Sequence, residues 1–150
     1  MRKLLIVGLA AGALAASHSA RAQAGISLGA AVGTSWRDDK LSGDDIHGLV
    51  YLRIGVPLVP YGARGDLFVF DQPDADYDIG LIGSVVMAAN LPMIQPYAIA
   101  GLGRYGLGDG GTTGVSFGAG IRVGGRRGLF LEGRRHEPIN RTLVSLGIAF

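Results

Sequence analysis

Alternation with a period of two residues constrains this chain more than any other feature of its sequence. The C-terminal segment shows it most clearly: one face carries Thr142, Val144, Leu146, Ile148 and Phe150, and the other carries Leu143, Ser145, Gly147 and Ala149. Such alternation indicates β-strands whose two faces meet different environments. After the N-terminal region, no segment has a convincing helical period. The chain is therefore predicted to be all-β.

The alternating segments are about ten residues long and are separated by turn residues. We predict eight strands, at 25–37, 46–56, 61–70, 78–89, 97–106, 114–124, 128–136 and 142–150. The connections after strands two, four and six are short and contain proline or glycine. Those after strands one, three and five are acidic or glycine-rich, and the one after strand seven is polar. Short turns at one end and longer polar loops at the other are typical of a membrane barrel.

The first residues have the layout of a secretory signal peptide. Arg2 and Lys3 precede an apolar run from Leu4 to Ala16, and small residues follow it. The run is too short for the roughly 20 residues of a spanning helix. We interpret 1–22 as a signal peptide, with cleavage after residue 22 or after residue 24, and 25–150 as one barrel domain.

Composition narrows the remaining classes. The 26 glycines follow no three-residue period, which excludes collagen, and the 48% hydrophobic fraction excludes a typical disordered chain. The absence of cysteine removes disulfides and thiolate metal sites. Without the leader the chain has 11 basic and 12 acidic residues, a formal net charge of −1. Nothing in this balance points to nucleic acid.

Aromatic residues near the strand ends suggest two membrane-interface girdles. On the predicted lipid-facing parity they are Trp36, Tyr77 and Tyr105 at the loop ends, and Tyr61, Tyr97 and Phe150 at the opposite ends. Amphipathic rings are enriched where a membrane protein meets the bilayer interfaces. A soluble lipocalin-like barrel, with its apolar face inside, would not place six aromatics outward at two levels.

The opposite parity carries charge. Its members are Arg53, Arg64, Asp66, Arg104, Arg122, Glu132, Arg134 and His136. Arg or Lys facing hydrocarbon at the midplane costs about 2–4 kcal/mol, so these groups are expected to face inward. An eight-stranded barrel has an interior just wide enough for side chains to fill. We predict an ion-pair network there and no open pore.

Strand three leaves two interpretations open. Phe68 and Phe70 share the polar parity with Arg64 and Asp66. Either a bulge shifts the register, or both rings pack inside near the loop end.

The chain resembles the small outer-membrane β-barrel families of the opacity-porin and OmpA-barrel type. The resemblance rests on the leader, the two P-Y-x-x-x-G strand starts at Pro60 and Pro96, and the terminal alternating strand that ends in Phe150. It implies a bacterial outer-membrane location and contact with outer-membrane lipid. It also implies recognition of the C-terminal strand by the barrel-assembly machinery, and no cofactor. We expect a monomer.

Three motifs suggest chemistry but lack the required context. G-x-G-x-x-G at Gly101 has no following helix, and G-x-S-x-G at Gly114 has no α/β fold around it. Asp74, Asp76 and Asp78 lack the Gly and Glu of a calcium loop, so we predict no metal site.

The leading functional interpretation is a non-enzymatic outer-membrane barrel with a structural or surface-interaction role. A lipid A deacylase-like hydrolase is the first alternative, but His136 is followed by Glu137-Pro138 where that family has a His-x-Ser pair. A porin-like transport module is the second, and it would require a continuous lumen.

Overall fold

The structure, a computed structural model, describes residues 25–37, 40–55, 59–72, 75–89, 91, 93–107, 110–124 and 127–150; the side chains of 37, 40–45, 71–72 and 75–77 lie outside the description. The strands are β1 (Ile26–Arg37), β2 (Lys40–Gly55), β3 (Tyr61–Gln72), β4 (Ala75–Ala88), β5 (Ile94–Tyr105), β6 (Thr112–Val123), β7 (Gly128–His136) and β8 (Arg141–Ala149). A short 3₁₀ helix, Glu137–Ile139, precedes β8. The predicted signal peptide lies outside the described residues.

Each strand pairs antiparallel with its sequence neighbours, and β8 pairs with β1 to close the barrel. Closure gives every described strand a paired neighbour on both sides, as a sheet in hydrocarbon requires. The predicted eight-stranded antiparallel up-and-down barrel is confirmed. Among the described residues, no helix is both long and apolar enough to cross a bilayer.

Two connections at one end of the barrel are shorter than predicted. The terminal end holds Gly25, Phe150 and the connections 56–60, 89–93 and 124–127, and Phe150 exchanges backbone hydrogen bonds with Leu28 there. The loop end holds the connections 38–39, 73–74, 106–111 and 137–140. The acidic segments 40–45 and 75–77, predicted to be loop, extend β2 and β4 instead. The prediction of long loops after strands one and three is therefore wrong.

The outer wall is apolar around the whole barrel. Large hydrophobic side chains from every strand are exposed on it, including Val32, Leu52, Tyr61, Leu81, Leu102, Phe117, Leu131 and Leu146. A soluble monomer rarely exposes such a continuous apolar surface, whereas hydrocarbon solvates it without penalty.

The inner face is closely packed. Glycines leave space for large neighbours: a Cβ on Gly120 would lie 2.5 Å from the Tyr97 ring. Phe68 and Phe70 are buried inside, and the β2–β3 register runs unbroken from His47–Phe70 to Gly55–Gly62. Of the two interpretations of strand three, inward packing is the correct one.

Candidate functional site in the barrel interior

The centre of the lumen is an ion-pair network between β3 and β7. Arg64 on β3 donates two hydrogen bonds to Glu132 on β7, at 2.5 and 3.2 Å. Arg134 on β7 donates to Asp66 on β3 at 2.9 Å. In a closed order of eight strands, β3 and β7 are four strands apart and face each other across the barrel. The two ion pairs therefore cross the lumen at its diameter.

Neighbouring side chains complete the hydrogen bonding of these charges. Within β3, Arg64 Nε also donates to Asp66 at 2.5 Å. Arg134 donates to the hydroxyls of Ser84 and Ser116, which reach it from β4 and β6. Tyr97 on β5 donates its hydroxyl proton to Glu132 at 2.8 Å. Five strands thus contribute to one connected network.

An aromatic ring stacks on the network from one side. The guanidinium carbon of Arg64 lies 4.0 Å from the centre of the Tyr51 ring, the geometry of a cation–π contact. Buried charges are costly unless they are paired and fully hydrogen-bonded. Two arginines and two carboxylates balance in this network, and each has several partners. The central network consequently meets the condition under which a charged interior is tolerated.

The predicted lumen residues occupy three kinds of position. Arg64, Asp66, Glu132, Arg134 and His136 are all buried inside. Arg53 and Arg122 lie on inward-facing parities of β2 and β6 and are partly buried, nearer the terminal end.

Arg104 contradicts its prediction. It is exposed on the outer wall at the loop end of β5, where an outward charge costs only about 0–1 kcal/mol because the bilayer interface is near.

Some of the predicted girdle residues lie on the outer wall, and others lie inside the barrel. Trp36 and Tyr61 are exposed on the outer wall, and Phe150 is partly exposed on the same parity. The side chain of Tyr77 lies outside the described residues.

Tyr97 and Tyr105 contradict the girdle prediction because both point inward, with 8% and 3% of their surface exposed. Their hydroxyls bond Glu132 and His136, and the Tyr105–His136 contact is 2.7 Å.

One cause accounts for Arg104, Tyr97 and Tyr105 together. The outward face of β5 is Ala98, Ala100, Leu102 and Arg104, and its inward face holds both tyrosines. Alanine is a weak apolar signal, so the tyrosines dominated the pattern and the parity of the strand was inverted. A shift of one residue moves every side chain of a strand to the other face.

Sequence reasoning missed Tyr51, Ser84 and His47, which are also buried inside. Each lies on the inward parity of its strand, so the parity of β2 and β4 is the signal that could have found them.

A serine–histidine pair is the arrangement in the lumen that most resembles catalytic machinery. His47 Nε2 and Ser145 Oγ are hydrogen-bonded at 2.7 Å, and both side chains are buried. A serine hydrolase also needs an acid on the second ring nitrogen and access for its substrate. Within the described part of the chain, His47 Nδ1 has no hydrogen-bond partner. The predicted alternative of a hydrolase with a membrane-facing triad gains no support from this geometry.

A closed eight-stranded barrel with an apolar wall and a charged, filled interior has the fold of the small outer-membrane β-barrel proteins. Solved structures with a similar fold are membrane β-barrels, in agreement with the resemblance inferred from the sequence. The chain is similar to a de novo designed transmembrane β-barrel, with 16% identity over 86% of this chain and 97% of that chain and a TM-score of 0.64.

Two natural proteins have the same fold. The N-terminal β-barrel domain of Pseudomonas aeruginosa OprF matches with 12% identity over 85% of this chain and 97% of that chain, at a TM-score of 0.57. Neisserial surface protein A matches with 14% identity over 83% of this chain and 94% of that chain, at a TM-score of 0.53. No protein-family model matches the chain, and no curated protein matches it.

Proposed function

We propose that this protein is a non-enzymatic structural barrel of the bacterial outer membrane whose interior is closed to solutes. The observation that carries the proposal is the pair of ion bridges across the lumen, Arg64–Glu132 and Asp66–Arg134. Because these bridges join opposite walls, a solute would have to break them to pass.

Packing around the bridges supports closure. Phe68 is buried within contact range of Arg134, and the ring of Tyr51 covers Arg64. Phe130 packs edge-on against Tyr51 at 5.5 Å between ring centres. Aromatic rings therefore fill the space beside the charges, as expected for an eight-stranded barrel.

Other features of the chain support the proposed location and the proposed partners. The continuous apolar wall supports residence in a membrane, and the predicted leader supports export from the cytoplasm. β8 pairs with both β7 and β1, so it closes the barrel, which fits the predicted recognition of this strand by the barrel-assembly machinery. A monomeric state and a surface-interaction role stay predictions.

Planar-bilayer recording of the purified full chain tests the closed lumen. We expect no discrete conductance steps from the wild type, because the bridges and rings occupy the lumen. The variant Arg64→Ala/Asp66→Ala/Glu132→Ala/Arg134→Ala removes both bridges and the volume of their side chains, and should conduct. Steady conductance by the wild type would favour the porin-like alternative, and silence from both proteins would contradict the role given to the bridges.

Membrane fractionation with gel mobility tests the location. We expect recovery in the outer membrane and a band that shifts on boiling, the behaviour of a closed barrel. A soluble periplasmic product without a shift would contradict the proposal. Lipid deacylation by the wild type but not by Ser145→Ala would instead support the hydrolase alternative.

A further inference from the structure

The apolar outer wall has a shallow, open depression across β5, β6 and β7. Its floor is a row of small residues in register across three strands, Ala98 on β5, Ala119 on β6 and Gly133 on β7. Met87 on β4 continues the row at one side, and Ile121 and Leu131 form the next row towards the terminal end. The wall recedes where the side chains are shortest.

The space over Gly133 is open. A Cβ built there would meet no atom within 4 Å, so the chain itself does not fill the depression. Met87, Ile121 and Leu131 are about half exposed around it. Because β5, β6 and β7 pair in continuous register through this row, the concavity is a shape of the wall and not a gap between strands.

The charged side chains of the connections at the neighbouring rim have one sign. The connections 56–60, 89–93 and 124–127 at the terminal end contain no Asp or Glu, and Arg127 is exposed on the last of them. Gly133 is six residues from Arg127, roughly 20 Å along a strand, or roughly 15 Å in depth at a tilt of about 40°. That depth is about half of the roughly 30 Å hydrocarbon core, one leaflet.

The surroundings restrict what can occupy the depression. On the membrane location proposed above, the wall contacts hydrocarbon, so the occupant must be apolar. A second copy related by two-fold symmetry would place this concave surface against itself and leave the space empty. A long flexible chain attached to an anionic group fits both the shape of the floor and the charge of the rim.

We propose that this depression holds an acyl chain of an anionic glycerophospholipid whose phosphate lies at Arg127. The small floor residues let the chain pack closer to the strands than on the rest of the wall, which increases its dispersion contacts. The guanidinium of Arg127 supplies the preference for an anionic headgroup.

Native mass spectrometry of the full chain tests the proposal, with phosphatidylglycerol and phosphatidylcholine of identical acyl chains as probes. We expect the wild type to retain one phosphatidylglycerol. Gly133→Leu fills the depression and should reduce retention at least about tenfold, since a leucine side chain occupies the space of several methylenes. Gly65→Leu is the matched control, because Gly65 also faces outward with no atom within 4 Å of an added Cβ but lies on β3, outside the floor.

Arg127→Gln separates the headgroup from the chain. It should lower the ratio of phosphatidylglycerol to phosphatidylcholine about fivefold while phosphatidylcholine retention stays unchanged. The boiling-dependent gel shift verifies that each variant forms a barrel, and Ala119→Phe replaces Gly133→Leu if the latter does not fold.

Three outcomes would overturn the proposal. They are a wild type that retains no lipid, equal loss of lipid from Gly133→Leu and Gly65→Leu, and a wild-type dimer that Gly133→Leu abolishes. The last would identify a second copy as the occupant. The gel shift and the conductance test do not depend on retained lipid. A negative lipid result would therefore leave the proposal of a closed membrane barrel intact, and a failure of the closed-barrel proposal would be seen in those two tests.

Discussion

The same short motif begins two strands and faces opposite environments in them. Pro60-Tyr61 and Pro96-Tyr97 each precede a glycine four residues after the tyrosine, Gly65 on β3 and Gly101 on β5. Tyr61 is 53% exposed on the outer wall, whereas Tyr97 is 8% exposed in the lumen. The two glycines lie on the same faces as their tyrosines: Gly65 has open space above it, whereas a Cβ on Gly101 would overlap Ser84 Oγ.

The difference shows that the motif specifies a turn and a strand start but not the face of the strand. The register with neighbouring strands determines the face, because residues paired across strands share a face while positions along each strand alternate. Tyr97 lies beside Gly120 in register, and that glycine leaves the space its ring occupies. The inward copy of the motif is therefore tied to the ion network, and the outward copy is independent of it.

The largest effect should come from removing the carboxylate that Tyr97 contacts. Glu132→Ala leaves Arg64 buried without its principal partner and should lower the free energy of unfolding by about 3–5 kcal/mol. Urea titration of the protein refolded in lipid vesicles measures it. Glu137→Ala is the control, since Glu137 is exposed and its contact with Arg135 is 3.7 Å; about 1 kcal/mol or less is expected. Equal losses of unfolding free energy in the two variants would contradict the larger contribution assigned to the buried ion-pair network.

The second largest difference should be between alanine substitutions at the two glycines of the motif. Gly101→Ala places a methyl group 2.5 Å from the backbone oxygen of Gly83, which cannot move without disturbing β4, and should cost about 1–3 kcal/mol. Gly65→Ala enters open space, so its unfolding free energy should stay within about 0.5 kcal/mol of the wild type. The same urea titration compares them, and a destabilised Gly65→Ala would contradict the assigned faces.

The sequence was sufficient for the number of strands and for the faces of β6 and β8. There, branched and aromatic residues alternate with glycine and serine, and Phe117 and Leu146 lie outward as predicted. It was insufficient for β5, where Ala98 and Ala100 carry little apolar signal. It also misplaced the acidic segment 40–45, since a charged residue beyond the bilayer can continue a strand as well as end it.

The partners inside the network could not be predicted for a different reason. Arg64 and Glu132 are 68 residues apart, and they meet because β3 and β7 face each other across a barrel of eight strands. Parity shows that both residues point inward, but it does not give their height in the lumen. That height depends on the stagger between strands, which local patterns do not encode.

The smallest of the expected differences tests the two tyrosines directly. Tyr97→Phe removes one hydrogen bond to a buried carboxylate and should cost about 1.5 kcal/mol, because bonds to charged groups exceed the usual value. Tyr61→Phe keeps the ring on the outer wall and should change the unfolding free energy by less than about 0.5 kcal/mol. In the double variant Tyr97→Phe/Glu132→Ala, the phenylalanine should add almost nothing, since its partner is already gone. Additive losses would mean that the Tyr97 hydroxyl stabilises the barrel through a partner other than Glu132.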